Sequence, residues 1–245
     1  MNITETNVDI ALADGKSMRG TLLEPEQRNG MNAGVVIIHD IFGFTPDIHR
    51  IGKRMASAGY PTLIPDLYDH EGDSKPLCVV KTLAAHERGK GRPFEMLNAA
   101  HQFLLSNAGV KKIGMMGFCM GGHFALLYAA RNPVDVVAPF YGGVPRNTQS
   151  LEGICPVVGG WGKTDMVFGS HGERLVKHLG KLGVDHDVKN YENVGHSYMN
   201  NHDTFVFKKL GDFNPLRAKY NEVAAEDSWA RVFTFFEKVL GAQAA

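Results

Sequence analysis

Short apolar runs alternate with amphipathic segments along most of the chain, and this alternation is the strongest structural signal in the sequence. Gly34–His39 reads GVVIIH, a continuous β-branched run that is typical of a strand buried in a parallel sheet. Asp47–Ala58 has apolar residues at helical spacing and stops at Gly59, which predicts an amphipathic helix. The same patterns predict further strands over Thr6–Leu12, Met18–Leu23, Tyr60–Ile64, Lys111–Gly117, Val134–Tyr141, Pro156–Gly160 and His186–Tyr191. Further helices are predicted over Pro93–Ser106, His123–Arg131, Ser170–Leu182 and Tyr220–Leu240.

Strands and helices that alternate in this order indicate an α/β protein with a doubly wound, mostly parallel sheet and helices on both of its faces. No linker, repeat or low-complexity stretch interrupts the pattern, so we expect a single domain over residues 1–245. Leu67–Arg92 departs from the pattern because this segment is irregular, charged and glycine-spotted. Such a segment favours a loop or short helices that lie over a functional site.

Charge and composition disfavour several classes of protein. The 26 Lys and Arg residues balance 26 Asp and Glu residues without a basic stripe, so nucleic-acid binding has little support. No apolar run approaches the roughly 20 residues of a membrane-spanning helix, and the N-terminus does not resemble a signal peptide. Cys78, Cys119 and Cys155 form no C-x-x-C motif, which favours free thiols in a reducing compartment. We therefore expect a soluble cytoplasmic protein, monomeric or homodimeric, that binds neither nucleic acid nor membrane.

One of these cysteines lies in a turn that suits a catalytic nucleophile. Gly117-Phe118-Cys119-Met120-Gly121 is a G-x-C-x-G sequence between a predicted strand and a predicted helix, which is the setting of a nucleophile elbow. The flanking glycines avoid clashes around a strained backbone, and a helix N-terminus favours the thiolate form of Cys119. Taken alone, the motif is equally compatible with a buried structural cysteine.

Two further residues complete a nucleophile–acid–histidine order. Asp165 lies in GGWGKTDMVF after one predicted strand, and His196 lies in NVGHSYMN after the last one. The carboxyl ends of parallel strands meet at one edge of a sheet, where open α/β proteins bind their ligands. Singly, Asp165 could be a turn residue and His196 a loop histidine. Together with Cys119 they predict a triad for nucleophilic catalysis.

The loop HDIFGFTPD after the strand Gly34–His39 supplies the remaining parts of such a site. We expect the backbone N–H groups of Ile41 and Met120 to form an oxyanion hole. Asp40 could either cap this loop or lie near the thiol and tune its protonation. Phe42 and Trp161 adjoin the site and could pack in the core or form an aromatic wall of the pocket. The histidines show no H-E-x-x-H pattern, so no metal site is predicted.

From about Gly20 to Leu240 the chain resembles the dienelactone hydrolase (carboxymethylenebutenolidase) family of α/β-hydrolases. The resemblance rests on the segments HDIFGF, GFCMGG, GKTD, GHSYMN and YNEVAAEDSWARVFTFF, of which GFCMGG with cysteine is the most specific. It implies a cysteine-dependent hydrolase of small lactones or esters that uses Cys119, Asp165 and His196, with neither a metal nor an organic cofactor. Acyl transfer or thioester hydrolysis on the same residues, and non-catalytic binding or thiol sensing, are the alternatives.

The chain departs from the family pattern at two positions. Asp40 stands where the best-known members have a glutamate that interacts with the resting thiol. Asn200 stands where they have an arginine, four residues past the histidine, that helps to hold a substrate carboxylate. We therefore expect a weaker preference for carboxylate-bearing substrates, unless another cation replaces that arginine. The candidates for this role are Arg88, Arg92 and Arg217, each of which could also be a solvated surface residue.

Overall fold

The computed structural model describes residues 2–69, 90–201 and 215–241, and its centre is one sheet. In chain order its strands are β1 (Ile3–Ala11), β2 (Ser17–Pro25), β3 (Ala33–Ile38), β4 (Thr62–Pro65), β5 (Lys112–Phe118), β6 (Val136–Phe140), β7 (Val157–Gly162) and β8 (His186–Tyr191). In space the order is β1-β2-β4-β3-β5-β6-β7-β8. Strands β3 to β8 run parallel, and the β1–β2 hairpin adds an antiparallel edge. The prediction of a mostly parallel α/β sheet is therefore confirmed.

Helices cover both faces of this sheet. They are α1 (Pro46–Ser57), α2 (Arg92–Asn107), α3 (Met120–Ala129), α4 (His171–Leu182) and α5 (Glu222–Gly241), with a short 3₁₀ turn at Thr148–Leu151. Gly34 of β3 faces Leu104 of α2, whereas Gly114, which pairs with Val35, faces Phe236 of α5. Since successive residues of a strand point to opposite faces, α2 and α5 lie on opposite sides. No helix in the three described ranges is both long and apolar enough to cross a membrane.

The helix after Cys119 begins earlier than the sequence pattern indicates. The predicted helix starts at His123, whereas α3 starts at Met120. Gly121 and Gly122 disfavour a helix intrinsically, by about 1 kcal/mol each, so the pattern alone places the start after them. In the structure a Cβ on Gly121 would lie 2.4 Å from the carbonyl oxygen of Ile38. Close packing of the first turn of α3 on β3 therefore requires glycine and outweighs its low helix propensity.

A buried aromatic residue of α5 gives a test of the core. Phe236 is fully buried, and its ring meets that of Tyr60 edge-on at a centroid distance of 6.2 Å. We expect Phe236→Ala to lower the free energy of unfolding by about 3–5 kcal/mol, because it removes a large buried side chain and leaves a cavity. Urea denaturation measures this change. On the same helix, Val223 is 81% exposed, so Val223→Ala should shift stability by no more than about 0.5 kcal/mol. Equal effects of the two changes would contradict the packing described.

Candidate active site

Cys119 is the single residue that connects β5 to α3. Its backbone has φ 53° and ψ −114°, a strained conformation for a residue with a side chain. The N–H of Cys119 donates to the carbonyl of Phe140 at 3.0 Å, and its own carbonyl accepts from Gly122 at 3.1 Å. These two bonds fix the turn, and the side chain remains partly exposed at the carboxyl edge of the sheet. This arrangement presents the thiol to a ligand.

The turn is possible only because its neighbours lack side chains. A Cβ on Gly117 would lie 2.1 Å from the carbonyl oxygen of Gly121, and a Cβ on Gly121 would clash with the ends of β3. Real Cβ atoms do not approach backbone oxygens so closely. The G-x-C-x-G spacing is thus a packing requirement of this turn and agrees with the elbow that the sequence predicts.

Asp165 and His196 form a hydrogen-bonded pair at the same edge of the sheet. The His196 Nδ1–H donates to Asp165 Oδ2 at 2.7 Å, and both residues are buried. The other carboxylate oxygen of Asp165 accepts from the N–H groups of Val167 at 2.9 Å and Phe168 at 3.0 Å. These contacts fix the carboxylate, which in turn places the proton on Nδ1 and leaves Nε2 to face other groups.

The imidazole of His196 lies next to Cys119. Burial alone would lower the pKa of His196, but its hydrogen bond to Asp165 and its interaction with Cys119 raise it to about 9. Its Nε2 atom is buried and makes no hydrogen bond of normal geometry within the described part of the chain. The structure thus brings together the three residues that the sequence singles out, with one nitrogen of the imidazole held by Asp165.

The backbone N–H groups of Ile41 and Met120 are candidates for an oxyanion hole near Cys119. The peptide that joins Ile41 to Phe42 is fixed at both ends, because Phe42 N–H donates to Asp40 Oδ1 at 2.9 Å and the Tyr68 hydroxyl donates to Ile41 O at 3.0 Å. Among the described residues the N–H groups of Ile41 and Met120 make no hydrogen bond. Both can therefore donate to the oxygen of a bound ligand, as the sequence predicts for an oxyanion hole.

Asp40 stabilises the loop after β3 through hydrogen bonds. Its carboxylate caps Phe42 N–H, and its backbone carbonyl accepts from His39 Nδ1–H at 2.7 Å. His39 Nε2 in turn accepts from Leu67 N–H at 3.1 Å, which ties the loop to the end of β4. Of the two readings that the sequence leaves open for Asp40, these contacts favour the loop cap. The sequence reasoning missed these roles of His39, which directly follows β3, and of Tyr68, which lies three residues after β4.

The two aromatic residues proposed beside the site differ in exposure. Phe42 is 48% exposed, so it can contact a ligand. Trp161 is fully buried, and its Nε1–H donates to the carbonyl of Gly142 at 2.9 Å. A Cβ on Gly142 would lie 2.7 Å from the carbonyl oxygen of Cys119. Trp161 therefore supports the backbone beneath the cysteine and does not form a wall of the pocket.

Asn200 is buried in a polar network behind His196. Its Oδ1 accepts from the Tyr141 hydroxyl, and its Nδ2 donates to Asp47 Oδ2 at 2.8 Å. Arg50 pairs with the other oxygen of Asp47, and the Tyr141 ring meets His196 at a centroid distance of 5.1 Å. Both ends of the Asn200 amide are thus engaged within the protein. The family resemblance places Asn200 at a position that could line the site, and in the structure its amide supports the histidine loop, a role that the sequence did not reveal.

The arginines proposed as carboxylate partners are not at Cys119 in the described structure. Arg88 lies outside the described residues. Arg92 pairs with Asp14 of the β1–β2 turn at 2.5 Å. Arg217 borders a cavity of about 410 Å³ on the far side of Gly195, together with Thr164 and Asn193. Within the described ranges neither Arg92 nor Arg217 forms a hydrogen bond or ion pair with the three central residues, so the expectation that one of them holds a substrate carboxylate gains no support.

Comparisons with known proteins confirm the family resemblance seen in the sequence. A model of the dienelactone hydrolase family matches residues 18–240. A carboxymethylenebutenolidase from Rhodococcus opacus is 27% identical over 89% of this chain and 86% of its own. The crystal structure of a dienelactone hydrolase from Anabaena variabilis has a TM-score of 0.69 at 19% identity, covering 98% of this chain and 99% of the other. A dienelactone hydrolase-like promiscuous phosphotriesterase from metagenomic libraries has a TM-score of 0.77 at 19% identity, covering 98% and 99%. The chain therefore belongs to the dienelactone hydrolase family and is a hydrolase enzyme with the α/β-hydrolase fold.

Proposed function

We propose that this protein hydrolyses small lactones or carboxylic esters through an acyl–cysteine intermediate on Cys119. The observation that carries the proposal is the buried Asp165–His196 pair, joined at 2.7 Å, beside a cysteine held in a strained elbow. A nucleophile, a base and a group that orients the base are the requirements for this chemistry. The names of relatives that act as carboxymethylenebutenolidase or dienelactone hydrolase support the choice of lactones and esters.

In the first step the Cys119 thiolate attacks the carbonyl carbon of the substrate. A C–S bond forms, and the π electrons of the carbonyl move onto its oxygen. The N–H groups of Ile41 and Met120 stabilise the negative charge that develops there, and the N-terminus of α3 adds its dipole. His196 is protonated at neutral pH, because its pKa is raised to about 9, so its Nε2–H can donate a proton to a leaving group.

The second step releases the alcohol and then regenerates the enzyme. The Nε2–H of His196 protonates the leaving alkoxide as its bond to the carbonyl carbon breaks. The neutral imidazole next takes a proton from water, whose oxygen attacks the thioester carbon, and the Cys119 thiolate departs. Throughout, Asp165 keeps the proton on Nδ1 and stabilises the imidazolium. In a lactone the alcohol stays attached to the acyl group, so the product is one hydroxy acid.

The surface around Cys119 suits a substrate with an apolar part. Ile41 and Phe42, in the loop after β3, are 39% and 48% exposed, and Met166 and Val167, which follow Asp165, are 76% and 50% exposed. Exposed apolar residues that flank a nucleophile gain free energy when a substrate covers them. Because Asn200 is engaged with Tyr141 and Asp47, it offers no hydrogen bond to a substrate carboxylate.

Cys119 should be the one cysteine whose loss abolishes ester hydrolysis. We expect Cys119→Ala to remove activity on 4-nitrophenyl acetate, because no other nucleophile stands at the elbow. Cys155→Ala is the matched control and should remain active, since burial raises the pKa of the Cys155 thiol to about 12 and keeps it protonated. Alkylation with iodoacetamide and peptide mass mapping gives an independent measurement. Full activity with Cys119 quantitatively alkylated would show that another group performs the attack.

Removal of the imidazole should affect the rate more than the fold. We expect His196→Ala to lower kcat/KM by about 10²-fold or more, the typical contribution of a general acid–base. Steady-state kinetics with 4-nitrophenyl acetate measures this, and circular dichroism controls for folding. Turnover close to that of the unaltered enzyme would assign the proton transfers to a different residue.

The protonation of His196 should depend on Asp165. We expect the imidazole resonances of His196 to titrate near pH 9, and Asp165→Asn to lower that midpoint because a charge-assisted hydrogen bond is lost. A folded-state pKa raised above the ordinary value near 6.5 adds stability that is fully present below about pH 6.5. This stability is lost as the pH rises through about 9. NMR titration, with urea unfolding at pH 6 and pH 10, measures both effects. A midpoint near 6.5 in the unaltered protein would contradict the pair described here.

A further inference from the structure

A cleft of about 690 Å³ opens next to the candidate active site, between α3, the loop after β6 and the start of α4. We call it the basic cleft. Its charged and aromatic wall residues are His123, Arg131, Arg146, Phe168, His171 and Arg174. A volume of this size lies in the usual range for small-molecule sites. No Asp or Glu is found among its lining residues in the described part of the chain. Since the chain as a whole has no net charge, the cleft is a local concentration of positive charge.

The basic cleft and the candidate active site share a wall. The Phe168 ring lies 5.4 Å from the His196 ring and 5.3 Å from the His171 ring, measured between centroids. On the other side, His123 is one helical turn from the elbow, and its N–H approaches the Cys119 carbonyl at 3.4 Å. One aromatic ring therefore separates the imidazole of His196 from the cleft. A ligand that reaches over Phe168 can occupy both places.

Arg146 and Arg174 of the basic cleft are not neutralised by carboxylates of the described residues. Arg174 donates through Nη1 to the carbonyl of Val144 at 3.1 Å, and neither it nor Arg146 forms an ion pair within the described ranges. Arg146 is exposed, whereas Arg174 is half-buried, so the latter is already held in place. A guanidinium fixed by one carbonyl keeps its remaining N–H groups for a carboxylate or phosphate, which it can bind in a bidentate manner.

His171 adds a second donor at the same point. Its Nδ1 accepts from Val144 N–H at 2.9 Å, so the ring proton lies on Nε2. That Nε2 stands 3.2 Å from Nη1 of Arg174, which also carries hydrogens. Burial, with Arg174 as the next cause, lowers the pKa of His171 to about 4, so the ring is neutral and has no second acceptor nitrogen. Two donors are thus adjacent, and an anionic oxygen that lies in front of them, at hydrogen-bond distance from each, would accept from both.

We propose that the basic cleft binds a carboxylate or phosphate group of a substrate whose ester or lactone bond lies at Cys119. Cleavage of the bond at Cys119 rests on the proposed function. Binding of the anion rests on Arg146, His171 and Arg174. Phe168 offers its ring to a planar spacer between the ester and the anion. Anion recognition would then come from α4 and the loop after β6, and not from position 200.

Three acetyl esters test the proposal: 4-acetoxybenzoate, its methyl ester and 4-acetoxyphenyl phosphate. All three share the acetyl group that Cys119 would accept. Differences in kcat/KM therefore report on the carboxylate, methyl ester or phosphate at the other end of the molecule. We expect the intact enzyme to prefer at least one anion over the methyl ester, and Arg146→Gln with Arg174→Gln to lower that kcat/KM ratio by about 10-fold or more. Arg174→Lys, which keeps the charge but loses the bidentate guanidinium, should retain only part of the ratio. A comparison of kcat/KM for 4-acetoxybenzoate and 4-acetoxyphenyl phosphate shows which anion the basic cleft prefers.

The matched control is Lys181→Met, which removes an exposed cation from the same helix outside the cleft and should leave the ratio unchanged. A direct binding measurement separates this proposal from the proposed function. Isothermal titration of benzoate and phenyl phosphate into Cys119→Ala, with and without the two glutamine substitutions, needs no turnover. If the methyl ester is not hydrolysed, the proposed function fails, but this titration still shows whether the basic cleft binds an anion. Binding that is absent, or unchanged by the glutamines, would overturn the inference.

Discussion

Backbone-to-backbone packing of the first turn of α3 against the ends of β3 and β5 governs the geometry of the site. A Cβ at Gly117 would lie 2.1 Å from Gly121 O, and one at Gly121 would lie 2.6 Å from His39 O. Because no side chain intervenes, Cys119 is forced into the positive-φ conformation that presents its thiol. The same contact brings Met120 N–H next to the loop that begins at Asp40. A single packing constraint therefore places both the nucleophile and the two candidate oxyanion donors.

Around this fixed elbow, several polar groups are held by further hydrogen bonds. Tyr68 and Asp40 secure the peptide after Ile41, and the carboxylate of Asp165 is secured by backbone N–H groups. Behind His196, Tyr141 and Asn200 extend the network to α1. A preorganised site of this kind does not have to reorient its dipoles as charge develops on the substrate, which is the main electrostatic source of catalysis.

The sequence predicted those parts of the molecule that depend on local pattern. The strand from Lys111 and the G-x-C-x-G turn follow from apolar runs and glycine spacing, so they could be predicted without knowledge of tertiary contacts. The start of α3 at Met120, the burial of Trp161 and the engagement of Asn200 with Asp47 all depend on residues distant in sequence. Asn200 and Asp47 are 153 positions apart, and no local pattern records such a contact. Phe168 escaped attention for the same reason, since its place between His196 and His171 appears only once β7 and β8 are side by side.

The environment of position 200 explains why anion recognition could move elsewhere in this chain. Asp47 is buried and already pairs with Arg50, while its second oxygen accepts from the Asn200 amide. A longer cationic side chain at position 200 would add a second cation next to Asp47 and displace the Tyr141 hydroxyl from its acceptor. A buried hydroxyl without a partner is costly, so the neutral amide and the tyrosine stabilise each other. A positive charge placed instead at Arg174 lies on the other side of Phe168, where it leaves this network intact. In the proposed arrangement, support of the histidine loop and recognition of an anion are carried by separate residues, so either can vary without loss of the other.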